Sequence, residues 1–530
     1  MKKFPHTDHN KTWATDFLEE NGRPPKILHI GNIANNAYLN AKYLNKAGYE
    51  CDVLCYDYYH IMACPEWEEL DFNFGISDPN NPPWFDLVKS DYSRPRWFAQ
   101  GSLSTSIDYL TAKQEGREHE AQNLWQKLCI ENRTIRDEDY LTKQSANTNS
   151  NFFQKLKRLC NDKFLTFIRA SIFRKMRTST FELSLSAPAQ EWVNYWIDNY
   201  SKIKSNDKDE LRPLDIIGFY DSLPRLRRLF NNYDIIHGYA TDGILSLLSN
   251  KTYLAYEHGT IRSTPFCDSS AGRICRLTYC FANGVAITNA DNIVAAKKLK
   301  LKNYKFIPHP INEDAFNNFS LTEKRSHREL YQKKMGAEFI VFHPARHHWG
   351  GADRANWDKG NDVFIRGFAN FVHEAKVEAK AIFVEWGQNV KESKLLISRL
   401  KIEKNIIWIP PISAKEMAKM IESVDLLADQ FYLGAFGSTL PRALACGTPS
   451  MIYLDEHLHH WCFDEMPPVI NACNEKEVFE GLLKAHFDKL WADENFNTSK
   501  EWYAKYHSSK VIIEKLSTAY REALMVDNGL

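Results

Sequence analysis

The chain is 530 residues long and carries 67 Lys and Arg against 67 Asp and Glu, a formal net charge of zero. That length suits two to four domains with large cores, and that balance argues against nucleic acid or another polyanion as a partner. Eleven cysteines with no CxxC pair at ligand-like spacing predict free thiols in a reducing compartment. No apolar run follows the two N-terminal lysines, and no window of about eighteen uncharged apolar residues occurs; the expectation is a soluble cytoplasmic protein.

The first strand is predicted at Lys26–Ile30. The loop Gly31-Asn32-Ile33-Ala34-Asn35-Asn36 follows, then a helix with apolar period near 3.6 through Ala37, Leu39, Tyr43 and Leu44, then a strand over 51–55. This β-loop-α-β unit is of the doubly wound kind, whose ligands bind at the carboxyl ends of the strands. GNIANN lacks the GxGxxG spacing of a dinucleotide site, and such a turn also occurs without any ligand. From about 71 to 212 the pattern turns irregular and reads as a helical insertion. Within it, residues 154–177, from Gln154 to Arg177, hold eight Lys or Arg against one Asp, with apolar residues at helical spacing. Such a helix can make a peripheral contact with an anionic membrane surface, or simply pack on its own domain.

Strand and helix patterns alternate again at 215–217, 233–237, 252–256, 284–288 and 304–308, and His309-Pro310-Ile311-Asn312 reads as a crossover between domains. Strands at 339–342, 381–385, Ile406–Ile409, 426–429 and 450–454, with helical patterns between them, predict a second parallel sheet. The amphipathic tail over 501–523 would return to the first domain. The expected division is 1–310, 311–500 and a crossing segment 501–530.

The chemistry concentrates in the second half. In HPARHHWGGADRANWDKGNDVFIRGF, Arg346 follows an apolar strand and Lys359-Gly360 opens a helical pattern. Two fixed cations beside a helix N-terminus make a site for a diphosphate, with no cluster of metal ligands nearby to do that work. In DQFYLGAFGSTLPRALACGTPSMI, a loop through Gly434, Ala435, Phe436, Gly437 and Ser438 feeds a helix carrying Arg442. Glycine there lets backbone approach a ligand closely, and free N–H groups open the helix. Val384-Glu385-Trp386-Gly387 ends another strand, and Glu385 can contact a hydroxyl or serve structure alone.

Arg346, Lys359-Gly360, Phe436-Gly437 and Ala445-Cys446-Gly447-Thr448-Pro449, in that order, resemble the donor-binding half of a GT-B glycosyltransferase of the large family-four type. Asp429-Gln430 resembles the opening of one branch of that family. The likeness is weak over 24–58 and good over 214–468. It implies two Rossmann-like domains facing across a cleft and a retaining, metal-independent transfer of a hexose-type sugar. The donor would be a nucleoside-diphosphate sugar used as co-substrate, with no cofactor, and the acceptor a surface-glycan or lipid-linked saccharide. On this reading Arg346 and Lys359 bind and stabilise the diphosphate. Gly31, Asn32, Gly360, Gly387 and the 434–438 loop contact the donor. His258, in EHGTIR, resembles the family's strand-end histidine and would orient or deprotonate a reacting group. His237, Tyr239 and Asp242 would lie on the acceptor side. One departure stands out: the family's ribose-binding Glu is replaced by Arg442, and a guanidinium can only donate hydrogen bonds. A catalytically impaired GT-B protein acting as a glycan- or partner-binding scaffold is the alternative, and a sugar-nucleotide epimerase a third reading.

Overall fold

The computed structural model describes residues 13–71, 92–129, 185–204, 206, 209–350 and 357–526. Strand β1 (Lys26–Ile30) is inaccessible at every position after Lys26, as expected of a strand covered on both faces by helices. It sits centrally in a seven-stranded sheet of order β3-β2-β1-β4-β5-β6-β7. The others are β2 (Glu50–Tyr56), β3 (Phe98–Gly101), β4 (Ile235–Tyr239), β5 (Tyr253–Tyr256), β6 (Gly284–Ile287) and β7 (Tyr304–Phe306). Every pairing is parallel. The second sheet, of order β10-β9-β8-β11-β12-β13, is also parallel. It comprises β8 (Phe339–His343), β9 (Ala379–Val384), β10 (Ile406–Ile409), β11 (Leu426–Ala428), β12 (Ser450–Ile452) and β13 (Ile470–Asn471). Phe339, Ile340, Val341 and Phe342 are essentially inaccessible, each contributing roughly 1.5–3 kcal/mol by burial. Two parallel α/β sheets on either side of a cleft are the GT-B architecture expected from the sequence.

The chain passes between the lobes twice. It leaves the first after β7 through 307–312 and returns at His507-Ser508, between the helices Lys489–Tyr506 and Ser509–Met525. One carboxylate ties the two passages: Glu313 Oε1 accepts from the Tyr503 hydroxyl and the Ser509 N–H, both at 2.7 Å, and Oε2 from the Ser509 hydroxyl at 2.6 Å. The Ser509–Met525 helix buries Ile512, Leu516, Ala519, Tyr520 and Ala523 in the core of the first lobe. The return therefore begins at 507, later than the expected 501, because Trp502, Tyr503 and Tyr506 still pack with Phe436, Leu440 and Phe463 of the second lobe.

Two further expectations need correction. Residues 215–217 are not a strand: Pro213 starts a short helix, Pro213–Ile216, and the Asp215 carboxylate accepts the Arg212 N–H at 2.9 Å. Proline at the first helical position is preorganised for that turn. The presumed insertion does not begin at 71, because β3 extends the first sheet beside β2 and the Leu103–Gln114 helix packs over it. The basic segment Gln154 to Arg177 lies outside the described residues. Among the described residues no helix is long and apolar enough to cross a membrane.

Candidate functional site

Where the carboxyl ends of the two sheets face each other, a cavity of about 190 Å³ is lined from the first lobe by Ala34, Met62, Trp67 and Glu68, and from the second by Arg346, Lys359, Trp386, Asp429, Gln430, Gly437, Ser438, Thr439 and Arg442, among others. Arg346 is placed by a stitched pair of loops. At the end of β8, Asn361 Nδ2 donates to His343 Nε2 at 2.9 Å, so His343 Nδ1 carries the proton and gives it to the Ala428 carbonyl at 2.8 Å. Four residues on, the His347 N–H donates to the Trp386 carbonyl at 2.8 Å. Gly387, at φ +125°, approaches so closely that a Cβ would stand 2.5 Å from the His347 backbone, which no side-chain-bearing residue could accept. The Arg346 guanidinium consequently lies over the Trp386 ring, 5.2 Å from its centroid. Burial pulls its pKa down, yet an arginine keeps its charge. Among the described residues no carboxylate pairs with it within 4.0 Å.

Lys359 is held between neighbours. Its N–H donates to the His348 carbonyl at 2.7 Å, its carbonyl accepts from the Phe431 N–H at 2.8 Å, and its ammonium donates to Gln430 Oε1 at 2.6 Å. Burial lowers its pKa against the opposing pull of Asp429, while Arg346 lowers it further. Burial also pushes the Asp429 carboxyl up to about 6, though Lys359 opposes this. Each member of this pair is thus driven toward neutrality by want of solvation, and an anion in the cavity would restore the ammonium. The N-terminus of the Asn361–Ala375 helix is partly served already, since the Gly360 N–H donates to Asp358 Oδ1 at 2.7 Å.

The 434–438 loop divides by role. Gly434 packs under Tyr453 and Asp455, the Ala435 carbonyl accepts from the Gln430 amide, and the Phe436 ring lies nearly parallel to those of its neighbours His459 and Phe463. Only Gly437 and Ser438 reach the cavity, and nothing stands within 4 Å of a Cβ at Gly437. Gly434, Ala435 and Phe436 are therefore supports of the loop and not its ligand-facing part. Arg442 lines the cavity and meets Glu68 of the opposite lobe, Nη2 to Oε1, at 3.5 Å. Glu385 forms an exposed ion pair with Lys394 at 2.5 Å and is not on the cavity wall.

The first-lobe assignments fare less well. Asn32 is inaccessible and consumed by its own loop: Nδ2 donates to Asn35 Oδ1 and the Ala63 carbonyl, and Oδ1 accepts the Tyr38 N–H. His237 and Tyr239 are fully buried, one with the Tyr520 hydroxyl at 2.6 Å, the other with His29 and Asn40 at 3.0 and 2.9 Å. Neither can touch an acceptor. Gly31 does not line the cavity; at φ +87° it makes room for Asp242, whose Oδ2 would stand 2.2 Å from a Cβ. Asp242 itself is partly exposed and accepts from the Tyr56 hydroxyl at 2.8 Å, and burial pushes its carboxyl up to about 6. His258 stacks on His309 at 5.3 Å, and burial holds its pKa well below the ordinary range. Neutral at pH 7, it is not on the cavity wall, and Gly387 is not either. Sequence reasoning missed Glu68 and Trp67. In CPEWEE the acidic residues resemble an ordinary solvated turn, yet Glu66 pairs with Arg94 and Glu69 with Lys42 of their own lobe, and Glu68 meets Arg442 of the second.

Residues 352–455 match a family model described as Glycosyl transferases group 1. No curated protein matches the chain. Solved structures with a similar architecture include a glycosyltransferase from Rickettsia africae, at 11% identity over 95% of this chain and 99% of that one, TM-score 0.47. Anabaena HepE in complex with UDP-glucose is 16% identical over 56% and 80% of the two chains, TM-score 0.45. Sucrose-phosphate synthase from Thermosynechococcus elongatus is 14% identical over 57% and 78%, TM-score 0.43. Scores this low bear on nothing beyond architecture. The matched segment does contain Lys359, Asp429, Gln430, Gly437, Ser438 and Arg442, so most of the polar second-lobe wall is built from a stretch similar to group 1 glycosyl transferases.

Proposed function

We propose that the protein is a glycosyltransferase that takes a hexose-type sugar from a nucleoside-diphosphate donor. The reading rests on one observation above others: Arg346 and Lys359, neither with a carboxylate hydrogen-bonded to it among the described residues, converge on one cavity between the lobes. In the reaction an acceptor hydroxyl oxygen bonds to the anomeric carbon as the bond from that carbon to the β-phosphate oxygen breaks. The hydroxyl proton passes to the departing phosphate, and the nucleoside diphosphate leaves. Negative charge grows on the diphosphate as the bond breaks, so fixed cations act more strongly on the transition state than on the bound donor. Side chains carry that charge here, which makes a metal-independent transfer the natural reading. Attack on the face the phosphate leaves, with retention, rests on the family likeness alone. A surface-glycan or lipid-linked saccharide as acceptor, and a cytoplasmic site of action, complete the proposal.

A thermal-shift screen against UDP-, GDP-, ADP- and CMP-linked sugars tests it, because a ligand at a hundred times its dissociation constant adds about 2.7 kcal/mol. Product analysis with the best donor separates the alternatives. Transfer to a saccharide supports the enzyme, an epimer or free sugar the epimerase, and binding without turnover the scaffold. Absence of any shift would end the proposal.

A further inference from the structure

We propose that Trp67 of the first lobe is a positioning residue for Arg346 of the second, acting through the ring of Trp386 that stands between them. This inference rests on the nucleotide-sugar reading above. Among the described residues no hydrogen bond or ion pair holds the Arg346 guanidinium, whose side chain opens onto the cavity. What supports it is the face of Trp386, 5.2 Å from ring centroid to guanidinium carbon. A guanidinium over an indole is attracted by the ring as a whole and not along one bond. Its direction is therefore only as fixed as the ring beneath it.

The second lobe does not fix that ring alone. Backbone bonds set the Trp386 main chain: its N–H donates to the Val384 carbonyl and its carbonyl accepts from His347, both at 2.8 Å. The indole then meets the other lobe. Trp67 lies edge to face with it, centroids 6.3 Å apart at 73°, and the His60 ring is nearly parallel to it at 6.4 Å and 20°. Such edge-to-face pairs prefer a defined geometry. Trp67 is itself firmly seated, 4% exposed and clustered with Ile61 and Cys64 of its own lobe and Ala414 of the other. Trp67 bears on Trp386 only while the lobes are together, and only then is the cation aimed. Opening the cleft frees the indole and Arg346 with it. Because a cation fixed in advance costs no reorganisation when it meets charge, the first lobe contributes to diphosphate binding through a residue of the second.

Calorimetry with the full-length protein tests this, using inorganic pyrophosphate and the diphosphates of uridine, guanosine and adenosine. The proteins are the parent, Trp67→Leu, Trp67→Phe, Arg346→Ala and the double variant Trp67→Leu with Arg346→Ala. Trp67→Leu should weaken pyrophosphate and nucleotide alike by about five- to thirtyfold. Trp67→Phe keeps a ring edge and should recover most of that loss. The double variant should bind no more weakly than Arg346→Ala, because residues that act as one unit do not add. Losses that multiply in the double variant would overturn the proposal, since Trp67 would then act on the ligand or the fold directly. Parental affinity in Trp67→Leu would overturn it too. Trp67→Met fills similar space without a ring edge and carries the same cycle should Trp67→Leu not fold. If the parent binds neither pyrophosphate nor any nucleotide, the nucleotide-sugar reading fails and this inference with it; a parent that binds, with losses that multiply, sinks the inference alone.

Discussion

Replacing Lys359 by Met removes the ammonium while keeping the length of its stem, and the surroundings set the size of the effect. In the free protein the ammonium has one hydrogen bond, to Gln430, and a carboxylate nearby that burial itself pushes toward neutrality. Its net contribution to folding is therefore small. Losing the bond to Gln430 costs about 1 kcal/mol, and relief of a buried charge offsets it. With a diphosphate bound, the same ammonium makes a charge-assisted bond of roughly 1.5–3 kcal/mol, which converts to about a ten- to hundredfold loss, or somewhat more, in kcat/KM. Initial rates with a radiolabelled donor, beside a thermal melt of each protein, measure both effects. We expect a large drop in turnover and a melting point within a few degrees of the parent. A folded Lys359→Met protein transferring sugar at the parental rate would refute the role assigned to this cation. A collapse of stability matching the loss of activity would refute the claim that the residue serves the ligand and not the fold.

Asp429→Asn should alter how stability responds to acid. Because burial raises the folded-state pKa from 3.8 to about 6, the carboxylate is unfavourable above pH 6 and that penalty fades between pH 6 and 3.8. Denaturant melts should show the parent gaining on the variant by on the order of 1 kcal/mol from pH 7 to 5; parallel curves would count against it. His258→Gln should leave the pH–rate profile without a lost step between pH 6 and 8, since that imidazole is already neutral there. Gly31→Ala forces a side chain into positive φ and against Asp242, and should lower stability by about 1–3 kcal/mol. An unshifted melting point would show that the loop relaxes.

Legibility from the amino-acid order tracked the length of each apolar run. Strands such as β1 and β8, with four or five successive buried residues, announce themselves. Strand β3 holds only four residues behind Arg94, Pro95 and Arg96, and β13 only two; both exist because a neighbouring strand offers its free edge. At the site, Arg346, Lys359 and the Gly437-Ser438 turn were readable because their spacing reflects local geometry, a strand end followed by a helix start. Glu68 was not, since nothing near Pro65 in the chain signals a residue far away at Arg442. His237 and Tyr239 misled for a related reason. A strand end looks open in sequence, and here the C-terminal helix closes over it with Tyr520.

The carboxylate of Glu313, holding Tyr503 and Ser509 together, governs how the two lobes can move. Both passages of the connecting neck are held together there, with His507 Nε2 also meeting the His309 carbonyl at 2.7 Å, and rotation about the neck is the relative motion that leaves these bonds intact. Rotation opens the mouth most at the points farthest from the pivot and leaves the neck nearly still. A molecule entering the gap therefore meets walls that swing apart and shut like the covers of a book bound at its spine.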